Sequence, residues 1–285
     1  MDYILGILLG VIGMFSYGVQ DFLMAKASRH IGAFKTSFWF QIITLIFLVI
    51  ISAFLYKYQS ISLLIAILIV FTGIISMIGL VSFNKGLSVG NVSIITTIAS
   101  VWSVVSILLG YIFLKTPISL MQTVFIAFII MGTILASLEL KHLVKMNIKH
   151  VIGLKYAIIT VFGWGIYFFL IAYLVNAIGW VAASLFSLLA TVIIMFIYAK
   201  FASIDIKFNI KGRYILLLIA ILNTIGFLSY SIGLTYNYVS VISPIIAAGP
   251  VITIMLALFL LKERLELSQK VGIIMVISGI ILLAI

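Results

Sequence analysis

A chain of 285 residues that is 65% hydrophobic and 8% charged, with mean hydropathy +1.42, cannot cover a water-soluble globule with polar groups; soluble domains carry about 25% charged residues. The net charge of +11 comes from 17 Lys and Arg scattered in short clusters between apolar runs. That pattern excludes a basic nucleic-acid-binding domain and fits membrane-flanking anchors. Cysteine is absent, which excludes disulfides, thiolate metal sites and Cys nucleophiles. His30, His142 and His150 fall at span edges or in the central connector, so neither a metal nor a cofactor is expected.

Charged and polar clusters divide the chain into about ten apolar runs, each able to cross a hydrocarbon core of about 30 Å as a helix. They lie roughly at 4–25, 34–56, 61–84, 91–114 and 118–138, then at 152–174, 178–200, 213–235, 239–261 and 269–285. Helices satisfy their own backbone in lipid, and the alternating short segments of a β-barrel are missing. Met1-Asp2-Tyr3 offers no basic leader region and the first run is too long for a signal-peptide core, so no cleavable signal is expected.

The chain repeats itself. Residues 86–138 moved forward by 147 positions land on 233–285 without a gap, and 19 of 53 positions are identical. Gly86-Leu87 meets Gly233-Leu234, Leu114-Lys115 meets Leu261-Lys262, Gln122 meets Gln269, and Gly132 meets Gly279. The same offset pairs Gly6 with Gly153, Gly18 with Gly165, Ile31-Gly32 with Ile178-Gly179, and Gly79 with Gly226. The expected fold is therefore an all-α membrane protein of ten transmembrane helices in two five-helix repeats. The N-terminal repeat is 1–138, a basic connector is 139–150, and the C-terminal repeat is 151–285.

Five spans per repeat make the second copy enter the membrane from the opposite side, so the repeats should be inverted. The charges agree. Lys26, Arg29, Lys35 and Lys85, the connector lysines 141, 145 and 149, and the basic residues of the loops near 200–213 and 262–270 share one side. Only Lys57 and Lys115 fall on the other. The positive-inside rule makes the basic side cytoplasmic and places both termini outside the cell membrane.

Candidate cavity residues follow from polar or aromatic groups at membrane depth. Span 1 carries Tyr17, Gln20 and Asp21; Tyr17 and Asp21 are one turn apart, and Asp21 is the acidic residue placed inside a span. Two readings stand for it, a functional carboxyl or an edge ion pair near Lys26. Repeat-equivalent positions in span 6 are Trp164, Tyr167 and Phe168, of which Trp164 and Tyr167 offer faces for an organic solute. Span 4 carries Ser93, Thr96, Thr97, Ser100 and Ser103 as a hydroxyl stripe beside Trp102, which suits either a cavity wall or close helix packing. Span 8 places Asn223, Gly226 and Tyr230 on one face, and Asn223 needs a partner in a neighbouring helix or in a cavity. Gln41 in span 2 and Asn84 in span 3 are weaker candidates. Pro244 and Pro250 in span 9 free backbone carbonyls and are the expected hinges.

The duplication, the turn Leu261-Lys262-Glu263-Arg264-Leu265 followed by Gln269 and Gly272, and the final Gly279 resemble the EamA-type transporters of the drug/metabolite transporter superfamily. The first repeat departs from that turn with Thr116-Pro117. The resemblance implies movement of small organic solutes (amino acids, nucleosides, sugars or drugs) by alternating access, through a central cavity lined by spans 1, 3, 4, 6, 8 and 9. It also implies cytoplasmic termini, opposite to the side that 15 of 17 basic residues indicate.

A secondary transporter of a small organic metabolite is the leading expectation. Its partners would be the solute and the lipid bilayer, with no nucleic acid, and a monomer would suffice because one chain supplies both halves. A lipid or amphiphile flippase component is the alternative. A membrane-embedded enzyme would need convergent acid, base or nucleophile groups, which the spans barely supply. Proton coupling, if present, rests on Asp21.

Overall fold

The computed structural model describes residues 2–137, 152–208, 212–261 and 266–285, and every element among them is an α-helix. The basic connector 139–150 and the Glu263-Arg264 turn lie outside these residues. The helices are α1 (Asp2–Ile31), α2 (Ala33–Leu55), α3 (Leu63–Val89), α4 (Val92–Ser100), α5 (Trp102–Phe113) and α6 (Leu120–Ser137). They continue as α7 (Leu154–Phe201), α8 (Arg213–Gly233), α9 (Val239–Ala247), α10 (Gly249–Leu261) and α11 (Leu267–Ala284). Among the described residues, nine helical stretches are long and apolar enough to cross a membrane. Their outer faces carry large apolar side chains, such as Ile67, Val70, Phe71, Ile74 and Ile78 along α3. In water such a stripe would be an aggregation surface, whereas lipid solvates it.

The 48 residues of α7 would span about 72 Å if straight, over twice a hydrocarbon core. Gly179 interrupts them at φ 76° and ψ 159°. Its counterpart 147 residues earlier, Gly32, separates α1 from α2 at φ 98° and ψ 145°. Both adopt a mirror-image extended backbone open essentially to glycine. Among the described residues no atom within 4 Å would meet an added Cβ at either place, so the backbone there favours glycine without crowding.

A second pair of breaks also obeys the 147-residue offset. α4 passes to α5 at Val101 (φ −64°, ψ −8°), and α9 passes to α10 next to Ala248 (φ −75°, ψ 3°). In the first repeat Ser100, Ser103 and Ser106 donate to the carbonyls three residues back, a local competition that bends helices. In the second repeat Pro250 occupies the place of Ser103 and lies in the first turn of α10, where its missing N–H costs nothing. Pro250 therefore stands at the break. Pro244 lies four residues before Ala248, inside the continuous α9.

Each break receives the first helix of the opposite repeat. A Cβ on Gly18 of α1 would lie 2.5 Å from the Gly249 carbonyl oxygen and 2.6 Å from Ile252 Cβ. A Cβ on Gly165 of α7 would meet Val105 and lie 2.9 Å from the Trp102 carbonyl oxygen. Away from this centre α6 and α11 pack through small residues, with the Gly132 Cβ position 2.8 Å from the Gly272 oxygen. The Gln shared by the two repeats caps helices: Gln122 Oε1 accepts from the Ser119 N–H at 3.0 Å, and Gln269 Oε1 from the Glu266 N–H at 2.9 Å.

Polar bonds on the basic side join the halves. Lys35 Nζ donates to Asp205 Oδ2 at 2.6 Å, and Trp39 Nε1 donates to the Ile206 carbonyl at 2.9 Å. The Lys35 hydrogen bond, helped by the Lys207 N–H, holds the Asp205 carboxyl below the usual carboxylate range. The stabilisation from a lowered carboxylate is present at neutral pH and disappears only as pH falls through the lowered value. This pair therefore introduces no pH dependence between about pH 5 and 8.

Candidate functional site

Where the two broken helices face α1 and α7, the chain leaves a central cavity of about 70 Å³. A water needs about 10–15 Å³ on this measure, so the space suits roughly five waters or one small organic group. Nine of the residues expected to face a cavity line it together: Tyr17, Gln20 and Asp21 from α1, Thr96 and Ser100 from α4, Trp102 from α5, Trp164 and Tyr167 from α7, and Asn223 from α8. Gly249 and Pro250 close it from α10.

Two expected residues stand elsewhere. Thr97 is buried outside the cavity lining and donates to the Ser93 carbonyl at 2.6 Å. Tyr230 is fully buried behind the wall, with its hydroxyl donating to the Phe168 carbonyl at 2.9 Å. It braces the cavity wall from behind and is no part of its lining.

Several lining residues had not been singled out as cavity groups, and a single signal finds most of them. Sixteen of the 19 lining residues form eight pairs separated by 147 positions. Tyr17 pairs with Trp164, Gln20 with Tyr167, Asp21 with Phe168, and Gln41 with Leu188. Ser76 pairs with Asn223, Leu80 with Phe227, Ser100 with Ala247, and Trp102 with Gly249. Shifting the sequence candidates by one repeat locates Ser76 from Asn223 and Leu188 from Gln41. The cavity thus draws on spans 2 and 7 as well, through Gln41 and Leu188, beyond the six spans the family resemblance implied.

Several pairs are chemically unlike: Asp21 meets Phe168, Gln41 meets Leu188 and Ser100 meets Ala247, so the N-terminal repeat supplies most of the polar lining, while Trp164, Phe168, Leu188 and Phe227 of the C-terminal repeat are apolar or aromatic. The aromatic wall is braced ring on ring, with Trp102 stacked on Phe168 at 4.1 Å and Phe83 against Trp164 at 4.4 Å. Asn223 crosses between the walls and donates to Thr44 Oγ1 at 3.3 Å and to Gln41 Oε1 at 3.5 Å. It is both a cavity residue and an interhelical tie, so the two readings open for it coincide.

Asp21 is 9% exposed and lies about 15 Å along the helix from the end of α1 at Ile31. Among the described residues the salt bridge found is Lys35–Asp205; Asp21 has none, and Lys26 is exposed on another face. The edge ion pair is therefore not formed. Beside it, Gln20 is 4% exposed, and its Nε2 donates to Met24 Sδ at 3.0 Å. A thioether sulfur only accepts, which fixes the amide orientation and leaves the buried Gln20 Oε1 with no donor among the described residues.

This architecture defines a multi-pass membrane protein with a small central cavity between two related halves. Comparison with known proteins identifies the class: the EamA-like transporter family model matches residues 4–138 and again 151–285, and the chain belongs to that family. It is a membrane transporter of the drug/metabolite type. An uncharacterized protein of Methanocaldococcus jannaschii is 30% identical over 141 residues, 49% of this chain but 98% of that protein, which is thus about the size of one repeat. A solved crystal structure shares the fold with a TM-score of 0.73 at 13% identity, covering 97% of this chain and 96% of that one.

Proposed function

We propose that the chain is a secondary transporter that moves a small organic solute across the cell membrane by alternating access of its central cavity. One observation carries the reading: the cavity wall is built from equivalent positions of both repeats. Inverted repeats place such a cavity on their pseudo-two-fold axis, where exchanging the conformations of the halves exposes it to the opposite side. The Gly179 break supports counting α7 as two spans, hence ten spans in two inverted sets of five. Breaks at Val101 and Ala248, each held against a helix of the other repeat, are where bending opens the site. The wall is closed by helices of both halves without α6 or α11, which favours a solute over an acyl chain entering from the bilayer.

Purified protein in liposomes should show saturable uptake of a labelled solute that speeds up when the same solute is loaded inside. Phospholipid scrambling without exchange of any solute would replace this reading with the flippase. Orientation is a separate prediction. With basic loops cytoplasmic, a reporter fused after Ile285 should read as external; a cytoplasmic signal would reverse the orientation.

A further inference from the structure

We infer that the solute is a small organic monocation, an amine or alkylammonium with an apolar body and no carboxylate. This rests on the transporter reading and deepens it. Gln20 and Asp21 line the cavity side by side; among the described residues Gln20 Oε1 is buried without a donor, and the Asp21 carboxyl has no hydrogen-bond or salt-bridge partner. An unpaired charge at membrane depth is costly, and the missing partner of two acceptors is a donor, best a cationic one. Among the described residues lining the cavity there is no Lys, Arg or His, so an anion or the carboxylate of a zwitterion finds no counter-charge there.

The aromatic lining selects an organic cation over a bare metal ion. Hard cations take six or more oxygen ligands, whereas Trp164, Phe168 and Phe227 line the same cavity as Asp21. Ring faces attract ammonium groups, and apolar side chains bury the carbon skeleton that an ammonium carries. The hydroxyls of Thr96 and Ser100 already donate to carbonyls of their own helix and keep lone pairs to accept from an ammonium N–H. A single carboxyl sets the charge of the preferred solute at one. The cavity volume limits it to a few heavy atoms in this conformation.

The test titrates the purified full chain at pH 7 with isobutylamine, isobutanol and valine, which share a carbon skeleton and differ in charge. A larger set is phenethylamine, 2-phenylethanol and phenylalanine. In at least one set the amine should bind at least about tenfold more tightly than its alcohol and its amino acid. Asp21→Asn should reduce the amine to the level of the alcohol, and Gln20→Met should weaken it about threefold. An amine that binds no better than its alcohol, an amino acid that matches its amine, or an undiminished Asp21→Asn protein would each overturn the proposal. The comparison of amine with alcohol needs no variant, so a misfolded variant cannot mask the answer. Vesicle flux separates the two readings: exchange of another solute without amine binding keeps the transporter and removes the cation class. Amine binding without amine flux keeps the cation site and removes transport.

Discussion

Gly18→Val should abolish solute flux and destabilise the protein by about 3 kcal/mol, and Gly165→Val should do the same. Overpacked side chains usually cost about 1–3 kcal/mol because neighbours shift to relieve them. Here the relief is poor. The group facing Gly18 is the Gly249 backbone oxygen at the α9–α10 break, and the group facing Gly165 includes the Trp102 oxygen at the α4–α5 break. Neither carbonyl can rotate aside without moving the break itself. Gly249 and Trp102 also line the cavity, so any displacement of α1 or α7 is passed to the wall. Thermal unfolding in detergent and counterflow in liposomes would measure the two effects separately. A Gly18→Ala protein should fall between, with reduced flux and a smaller loss of stability. If Gly165→Val transports normally while Gly18→Val does not, the breaks are equivalent in structure and unequal in use.

The spans were legible because membrane crossing demands long apolar runs, and the duplication because an offset of 147 aligns Gly, Ser, Lys and Gln together. The pairing of cavity positions was latent in the same offset: Asp21 alone attracts notice, but its repeat mate Phe168 looks like any core aromatic. Thr97 and Tyr230 show the limit. Both are polar groups at membrane depth, yet each is satisfied by a carbonyl, Ser93 for one and Phe168 for the other. Composition and spacing do not say which hydroxyl already has a partner. The break in span 9 was half legible for a similar reason. Proline frees a carbonyl wherever it falls, but only Pro250 meets the place where serine hydroxyls break the helix of the other repeat.

The asymmetry between the two sides of the membrane leads to a further expected result. On the basic side Arg29, at the end of α1, donates from Nη2 to the Gly90 carbonyl at 3.0 Å and from Nε to the Leu87 carbonyl at 3.3 Å. A guanidinium on the carbonyls at a helix C-terminus is favourably placed, so it latches α1 to the end of α3. Among the described residues its repeat mate Asn176 has no such bond, and it lines a cavity of about 390 Å³ together with Thr116, Leu234 and Asn237. Thr116 Oγ1 and Asn237 Oδ1 are buried without partners among the described residues. The basic side is thus tied by Arg29, Lys35 and Trp39, and the other side more sparsely, through Asn237 Nδ2 donating to the Tyr3 carbonyl at 2.9 Å beside the opening. Arg29→Leu should release the tied side. Two charge-assisted bonds from a solvent-facing guanidinium contribute about 1–2 kcal/mol together, so the population open to the basic side should rise roughly tenfold. The chain has no cysteine, so Ser100→Cys in the cavity wall places a single reporter thiol. Its reaction with an impermeant maleimide added on the basic side should quicken about tenfold in Arg29→Leu and slow from the other side. Equal rates with and without the guanidinium would mean that Arg29 caps α3 and nothing more, and that the closure of the basic side lies with the Lys35–Asp205 and Trp39–Ile206 bonds.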